Sequence, residues 1–200
     1  MNCKWILLMA AIMVTTAAGA QKINLGIKAG INMSANSGNG MNSSLQQGID
    51  VGAFSEIALG KKWSVNPELY FSHRSTERAD NFMTYYVNEG VASSDKDIKL
   101  SYISVPVLLS YKLSSVISFQ AGPQFNWLVF EDDNLLKNGR DAFTKTDLGV
   151  AAGVTLTLEK FRIYGRYTQG FSDVNGIDGR HDWKSRQLQL GAALSLFNWK

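Results

Sequence analysis

The sequence predicts an all-β protein: an eight-stranded, antiparallel, up-and-down transmembrane β-barrel. Three observations lead there. Apolar and polar residues alternate over eight stretches of about 11–14 residues, against roughly 5–6 in ordinary soluble strands. The connections alternate between tight turns and long polar loops. Beyond the N-terminal segment, no apolar run approaches the roughly 18 residues of a helical span.

The N-terminal segment has the features of a secretory signal, predicted over residues 1–20, with one barrel domain over 21–200. Lys4 supplies the positive charge, Trp5 to Val14 the apolar stretch, and Ala18-Gly19-Ala20 the small-x-small cleavage site. Cys3 is the single cysteine, so the mature chain has no disulfide or Cys–metal site. Losing Lys4 lowers the net charge from +3 to +2, too balanced to point to nucleic acid. The charged fraction is 18%, below the roughly 25% of soluble domains.

The first strand, residues 21–34, sets Ile23, Leu25, Ile27, Ala29, Ile31 and Met33 against Asn24, Gly26, Lys28, Gly30, Asn32 and Ser34. The second (49–60) sets Ile49, Val51, Ala53, Ile57 and Leu59 against Asp50, Gly52, Phe54, Glu56 and Ala58. The third (63–74) opposes Trp63, Val65, Pro67, Leu69 and Phe71 to Ser64, Asn66, Glu68, Tyr70 and Ser72. The fourth spans 98–111 and the fifth 117–130, the latter with Phe119, Ala121, Phe125 and Trp127 on its apolar face. The sixth (147–158), seventh (161–171) and eighth (186–199) repeat the pattern. Tight turns follow the second, fourth and sixth strands at Gly60-Lys61-Lys62, Leu113-Ser114-Ser115 and Glu159-Lys160. Long loops are expected near 35–48, 75–97, 131–146 and 172–185. An even strand count puts both termini at the short-turn end, read as periplasmic.

The orientation of the two faces separates two kinds of barrel. A soluble lipocalin-like barrel binding a small apolar ligand, the competing reading, would turn apolar residues inward and a Lys/Glu-rich face to water. Here the polar face is mostly Gly, Ser, Thr, Asn and Gln, suited to a narrow interior, and the apolar face is long and nearly free of charge. Aromatics track the strand ends: Trp63, Tyr111, Phe161 and Trp199 at one rim, Phe71, Trp127, Phe130 and Phe171 toward the other. The expected location is the cell outer membrane.

Two features resist the pattern. Pro67, Pro106 and Pro123 fall inside strands, although proline cannot donate to a ladder and a closed barrel has no edge. In the fourth strand the apolar phase slips from even (Ile98, Leu100, Tyr102) to odd (Ile103, Val105, Val107, Leu109), which predicts a β-bulge between Tyr102 and Pro106.

The ordered set GIKAGIN (26–32), NPELYFS (66–72), YISVPVLLSY (102–111), AGPQFNWL (121–128), DLGVAAG (147–153) and GRYTQGF (165–171) resembles the PorT-like outer-membrane β-barrel domain family of Gram-negative bacteria. The resemblance covers essentially the whole mature chain. It implies an eight-stranded barrel in which the three prolines are characteristic positions. It departs after Ser72, where His73-Arg74-Ser75 replaces a Gln-Lys-Gly-like turn. The secretion-system role behind the family's name is an alternative that no residue here singles out.

The inward-facing charges form the candidate site. Lys28, Arg74, Arg162 and Arg166 are set against Asp50, Glu56, Glu68 and Asp147, and an eight-stranded interior is just wide enough for side chains. Buried charges must pair, so a structural network of Lys28, Glu56, Glu68, Arg162 and Arg166 is expected, with Glu68 meeting Arg162 or Arg166. Ser72 and His73 are strand neighbours on opposite faces and make no catalytic dyad. SDVNGIDGRHDWK (172–184), which contains His181, departs from a calcium loop at Ile177. No P-loop, dinucleotide fingerprint or HExxH motif is present, so neither an enzyme nor a cofactor or metal is predicted. The expected partners are outer-membrane lipid and, at the long loops, a protein; the barrel is expected to be monomeric.

Overall fold

The computed structural model describes residues 22–37, 41–79, 97–131, 144–174 and 183–199. Among the described residues there are nine antiparallel strands: β1 (Ile23–Ser37), β2 (Met41–Asn42), β3 (Gln46–Ala58), β4 (Trp63–Arg78), β5 (Asp97–Lys112), β6 (Ile117–Glu131), β7 (Thr146–Leu158), β8 (Phe161–Gly170) and β9 (Lys184–Trp199). Eight of them close a barrel in the order β4-β3-β1-β9-β8-β7-β6-β5, sealed by pairing of β4 with β5. The two-residue β2 pairs with Arg78 and Glu77 at the far end of β4. Part of the predicted 35–48 loop is therefore strand. The predicted signal, residues 1–20, and His181 lie outside the described residues, as does most of the 75–97 loop.

Pattern and solvent fix the faces. Ile27, Ile31, Val51, Leu69, Leu109, Leu190 and their neighbours point outward, each about half exposed. Asn32, Ser64, Ser72, Ser104, Gln124 and Gln189 point inward and are fully buried. A lipocalin-like barrel needs an apolar cavity, and this interior is polar; the competing reading is overturned. Both aromatic rims are present, with Trp63, Phe161 and Trp199 exposed at the short-turn end and Phe71, Trp127, Phe130 and Phe171 at the long-loop end.

The fourth predicted strand requires a correction. The β4–β5 register is constant from Trp63↔Tyr111 to Glu77↔Asp97, so no bulge lies between Tyr102 and Pro106. Leu100 and Tyr102 keep the even phase and point inward, 2% and 4% exposed. The lipid-facing band on this strand ends at Ile103. Beyond it the outward residue Lys99 is charged and exposed, and the apolar side chains of Leu100 and Tyr102 turn in. Phe71↔Ile103 and Trp63↔Tyr111 bound the band on both strands, a segment of nine residues on each counting both ends, close to the roughly 9–11 a tilted membrane strand needs. The register does shift nearby, but on β6: between Ser101 and Tyr102 the partner strand carries one extra residue, Val129. A second shift lies between Leu25 and Gly26 opposite β9.

The prolines are accommodated by dropping rungs. The β3–β4 pairing passes from Phe54↔Glu68 to Ile57↔Val65, skipping Pro67. The β4–β5 pairing skips Pro106, and β5–β6 skips Pro123. Each proline lacks the N–H its rung requires, and the register resumes unchanged on the far side.

Candidate functional site in the barrel interior

Inward positions recur every second residue, and strand tilt stacks them into layers along the barrel axis. At the long-loop end Ala35, Leu100, Tyr102, Val174 and Trp183 are buried. Val174 and Trp183 are tied by a 3.0 Å backbone bond, and Asp173 Oδ1 accepts from Trp183 N at 2.8 Å. The Arg74 guanidinium lies 4.6 Å from the Tyr102 ring.

The next layers are joined by neutral groups. Arg74 donates to Ser72 Oγ, Ser104 Oγ and Asn126 Oδ1, at 3.0, 3.3 and 3.1 Å. Asn126 in turn donates to Asp147, which also accepts from Ser185. Asp50 accepts from Asn32 Nδ2 at 2.9 Å and Gln189 Nε2 at 2.8 Å. The predicted ion pairing of these charges is thus corrected: Arg74 and Asp147 meet through Asn126, and Asp50 is satisfied by two amides. Asn126 and Asp147 are register partners on adjacent strands, so the amide sits between that carboxylate and Arg74.

The ion pairs occupy the layers nearer the short turns. Lys28 Nζ donates to Glu68 Oε2 at 2.7 Å. Arg166 grips the same carboxylate with both terminal nitrogens, at 2.9 and 2.8 Å. Lys28 Nζ also lies 4.6 and 4.3 Å from the rings of Tyr70 and Tyr164. One layer further, Glu56 accepts from Arg162 Nη2 and from Lys112 Nζ, the latter at 2.9 Å. All five predicted network residues are buried here: Lys28, Glu68 and Arg166 in one cluster, Glu56 and Arg162 in another. The sequence reading missed Tyr70, Tyr164, Gln189 and Asn126 as partners. Their inward phase was visible; their reach across the lumen was not.

Glycines make room for the rings. Gly30 and Gly191 are register partners, and a Cβ on Gly30 would meet Tyr164 Oη at 2.9 Å and Leu190 O at 2.6 Å. At the Lys28–Glu68–Arg166 layer the free space is only about 20 Å³. At the short-turn mouth a polar vestibule of about 640 Å³ opens, with Glu56, Arg162 and Lys112 in its lining.

Ser72 is buried and accepts from Arg74 and Gln187, while His73 faces away, with Nδ1 3.1 Å from Ser101 Oγ. Among the described residues no cluster of three His, Cys, Asp or Glu could hold a metal, and no helix is long and apolar enough to cross a membrane.

A closed barrel with an apolar exterior and a polar, ion-paired interior defines an integral membrane β-barrel. The chain belongs to the outer membrane protein beta-barrel domain family, whose model matches residues 19–176. It is an outer-membrane protein. No curated relative matches it. Among solved structures it is similar to Neisserial surface protein A at 14% identity, with 86% of this chain and 97% of that one covered and a TM-score of 0.54. It is also similar to Ail, the attachment invasion locus protein of Yersinia pestis, solved in complex with the heparin analogue sucrose octasulfate. There the identity is 17%, 87% of this chain and 99% of that one are covered, and the TM-score is 0.52. At such identities the likeness shows the fold.

Proposed function

We propose that this outer-membrane barrel is a non-enzymatic, monomeric scaffold that presents its long loops for surface interaction or assembly and passes no solute. The observation that carries the reading is the Lys28–Glu68–Arg166 cluster, which leaves about 20 Å³ free at its level. In this reading Lys28, Glu56, Glu68, Arg162 and Arg166 have a structural role. The short turns face the periplasm, the mature chain starts at Gln21 after loss of the signal, and the chain is a PorT-like member of its family. A rigid frame carrying long loops is where binding concentrates, and the complex of Ail with a heparin analogue is an example of ligand binding by a barrel of this fold.

Two measurements test it. In planar bilayers the purified barrel is expected to give no conductance steps, and steps of defined size would overturn the closed-scaffold reading. Deleting residues 80–96 is expected to leave the barrel folded in the outer membrane while the cell loses a surface interaction. An unchanged interaction profile would remove the 75–97 loop from the proposal.

A further inference from the structure

The vestibule at the short-turn mouth is a cup with a closed floor. Its volume is about 640 Å³, within the roughly 300–1,000 Å³ of small-molecule sites. It narrows onto Asn66, Gln120 and Arg162, which also border the Lys28–Glu68–Arg166 layer, where only about 20 Å³ is free. What enters from this end stops there.

The charges in the cup are uneven. Lys22, Lys61, Lys112 and Arg162 line it against Glu56 and Glu159. Glu56 is already engaged by Arg162 and Lys112. Arg162 reaches it through Nη2, and its Nε has no partner among the described residues. The three lysines lie on one side. Lys22 leads into β1, and its carbonyl accepts from Ala58 N at the end of β3, at 3.1 Å. Lys61 is on the β3–β4 turn and Lys112 ends β5, and β1, β3, β4 and β5 are consecutive neighbours in the barrel. Glu159 is on the β7–β8 turn, in the facing half. A negative group entering the cup is drawn to the lysine side.

The walls are neutral and polar, with Ser118 and Thr157 among them. A bulge adds one more polar group. The β1–β9 register passes from Gly26↔Ser195 to Leu25↔Phe197, which leaves Leu196 as an extra residue. The inward phase of β9 therefore moves from Phe197 to Asn198, which stands opposite Asn24 inside the mouth. Among the described residues no aromatic ring lines the cup. Hydroxyls and amides around a positive side match a hydrophilic ligand with an anionic end.

We propose that the vestibule binds a small hydroxylated molecule bearing a phosphate or carboxylate group, with the anionic end at Lys22 and Lys61 and the hydroxyls against Asn24, Ser118, Thr157 and Asn198. That the ligand comes from the periplasm rests on the orientation proposed above. The site itself does not, because it is tested in micelles, where either mouth is open to solution.

The test is a titration of the purified barrel in zwitterionic micelles, read from the amide resonances of Gly60, Thr157 and Asn198. The probes are glucose 6-phosphate, gluconate and glucose. At least one of the two anions is expected to shift these resonances to saturation, and which binds tighter tells phosphate from carboxylate. Glucose should bind about ten-fold more weakly or worse, because it lacks the charge-assisted bonds. Lys22→Gln and Lys61→Gln, at exposed positions, should each weaken the anion by roughly two- to five-fold. Glu159→Gln should tighten it, and Lys99→Gln at the long-loop end should leave it unchanged. Glucose binding as tightly as the anions overturns the proposal, as does the absence of saturable shifts with either anion. Equal weakening by Lys61→Gln and Lys99→Gln would show attraction to the whole protein and overturn the site. Inorganic phosphate binding as tightly as glucose 6-phosphate would leave the polar walls without a role and overturn the ligand class.

Discussion

Arg166 and Glu68 stand on opposite walls of the barrel, four strands apart in either direction, yet their side chains meet as a two-pronged ion pair at 2.8 and 2.9 Å. The pair, with Lys28, crosses the lumen and ties β4 to β8 and β1. Glu68→Gln would leave two cations buried against a neutral amide. Removing one partner of a buried pair costs about 3–5 kcal/mol. The expected outcome is a loss of that size in unfolding free energy, read from urea titration of the barrel in lipid vesicles. Arg162→Met should cost less, because Glu56 keeps Lys112, whose side chain is 45% exposed and close to water.

The opposite walls also depend on what is missing between them. Tyr164 lies over the Gly30–Gly191 pair, and a methyl on Gly30 would press on its hydroxyl and on Leu190 O. The second of these is backbone, so the β1–β9 seam itself must widen. Gly30→Ala is expected to destabilise by about 1–3 kcal/mol. Adding Tyr164→Phe should not restore the loss, since the backbone contact remains. Full rescue in the double variant would show that the hydroxyl alone sets the limit.

The lipid-facing band makes a depth-dependent prediction. Ile27 sits near the middle of the outward face of β1 and is 52% exposed; Trp199 sits at its rim. An arginine at the bilayer midplane of a barrel costs about 2–4 kcal/mol, and about 0–1 near the interface. Ile27→Arg and Trp199→Arg should separate by that difference in vesicle-based unfolding. Equal, small costs would mean that lipid does not cover this face.

How legible this was in the sequence depends on the range of the interaction. Period-two alternation told inside from outside at Lys28, Glu68 and Arg166, because it depends only on neighbouring residues. Which of them meet depends on tilt and closure, properties of the whole ring, so Glu68 could be placed in the interior but its Lys28 contact could not be read. Arg74, Asp50 and Asp147 were expected in ion pairs, and the amides of Asn126, Asn32 and Gln189 take those contacts instead. The slip at Leu100 and Tyr102 was read as a bulge. One pattern, a change of face, has two causes: an inserted residue or a change of solvent. Sequence alternation alone does not separate them; the unbroken β4–β5 register does.

That distinction yields its own test. If Leu100 fills an apolar cap above the membrane, Leu100→Ala removes buried contacts and should cost about 2–5 kcal/mol. Lys99→Ala, one residue away and exposed to water, should stay within about 0.5 kcal/mol. Matching effects at both positions would place Leu100 outside the core.

The β7–β8 turn holds a residue in an unfavourable backbone conformation. Glu159 has φ of 55°, the left-handed region that a side chain resists by roughly 1–2 kcal/mol. Its side chain is exposed at the short-turn rim, so replacing it removes little packing. Glycine adopts this conformation freely but also gains freedom in the unfolded chain, which offsets part of the benefit. Asparagine keeps a side chain and tolerates the region better than glutamate. Glu159→Asn is therefore expected to stabilise the barrel by several tenths of a kcal/mol to about 1 kcal/mol, with Glu159→Gly equal or smaller. The measurement is the urea midpoint and the unfolding rate in vesicles. A lower midpoint for both variants would mean that the glutamate makes a contact at the rim worth more than the backbone conformation costs.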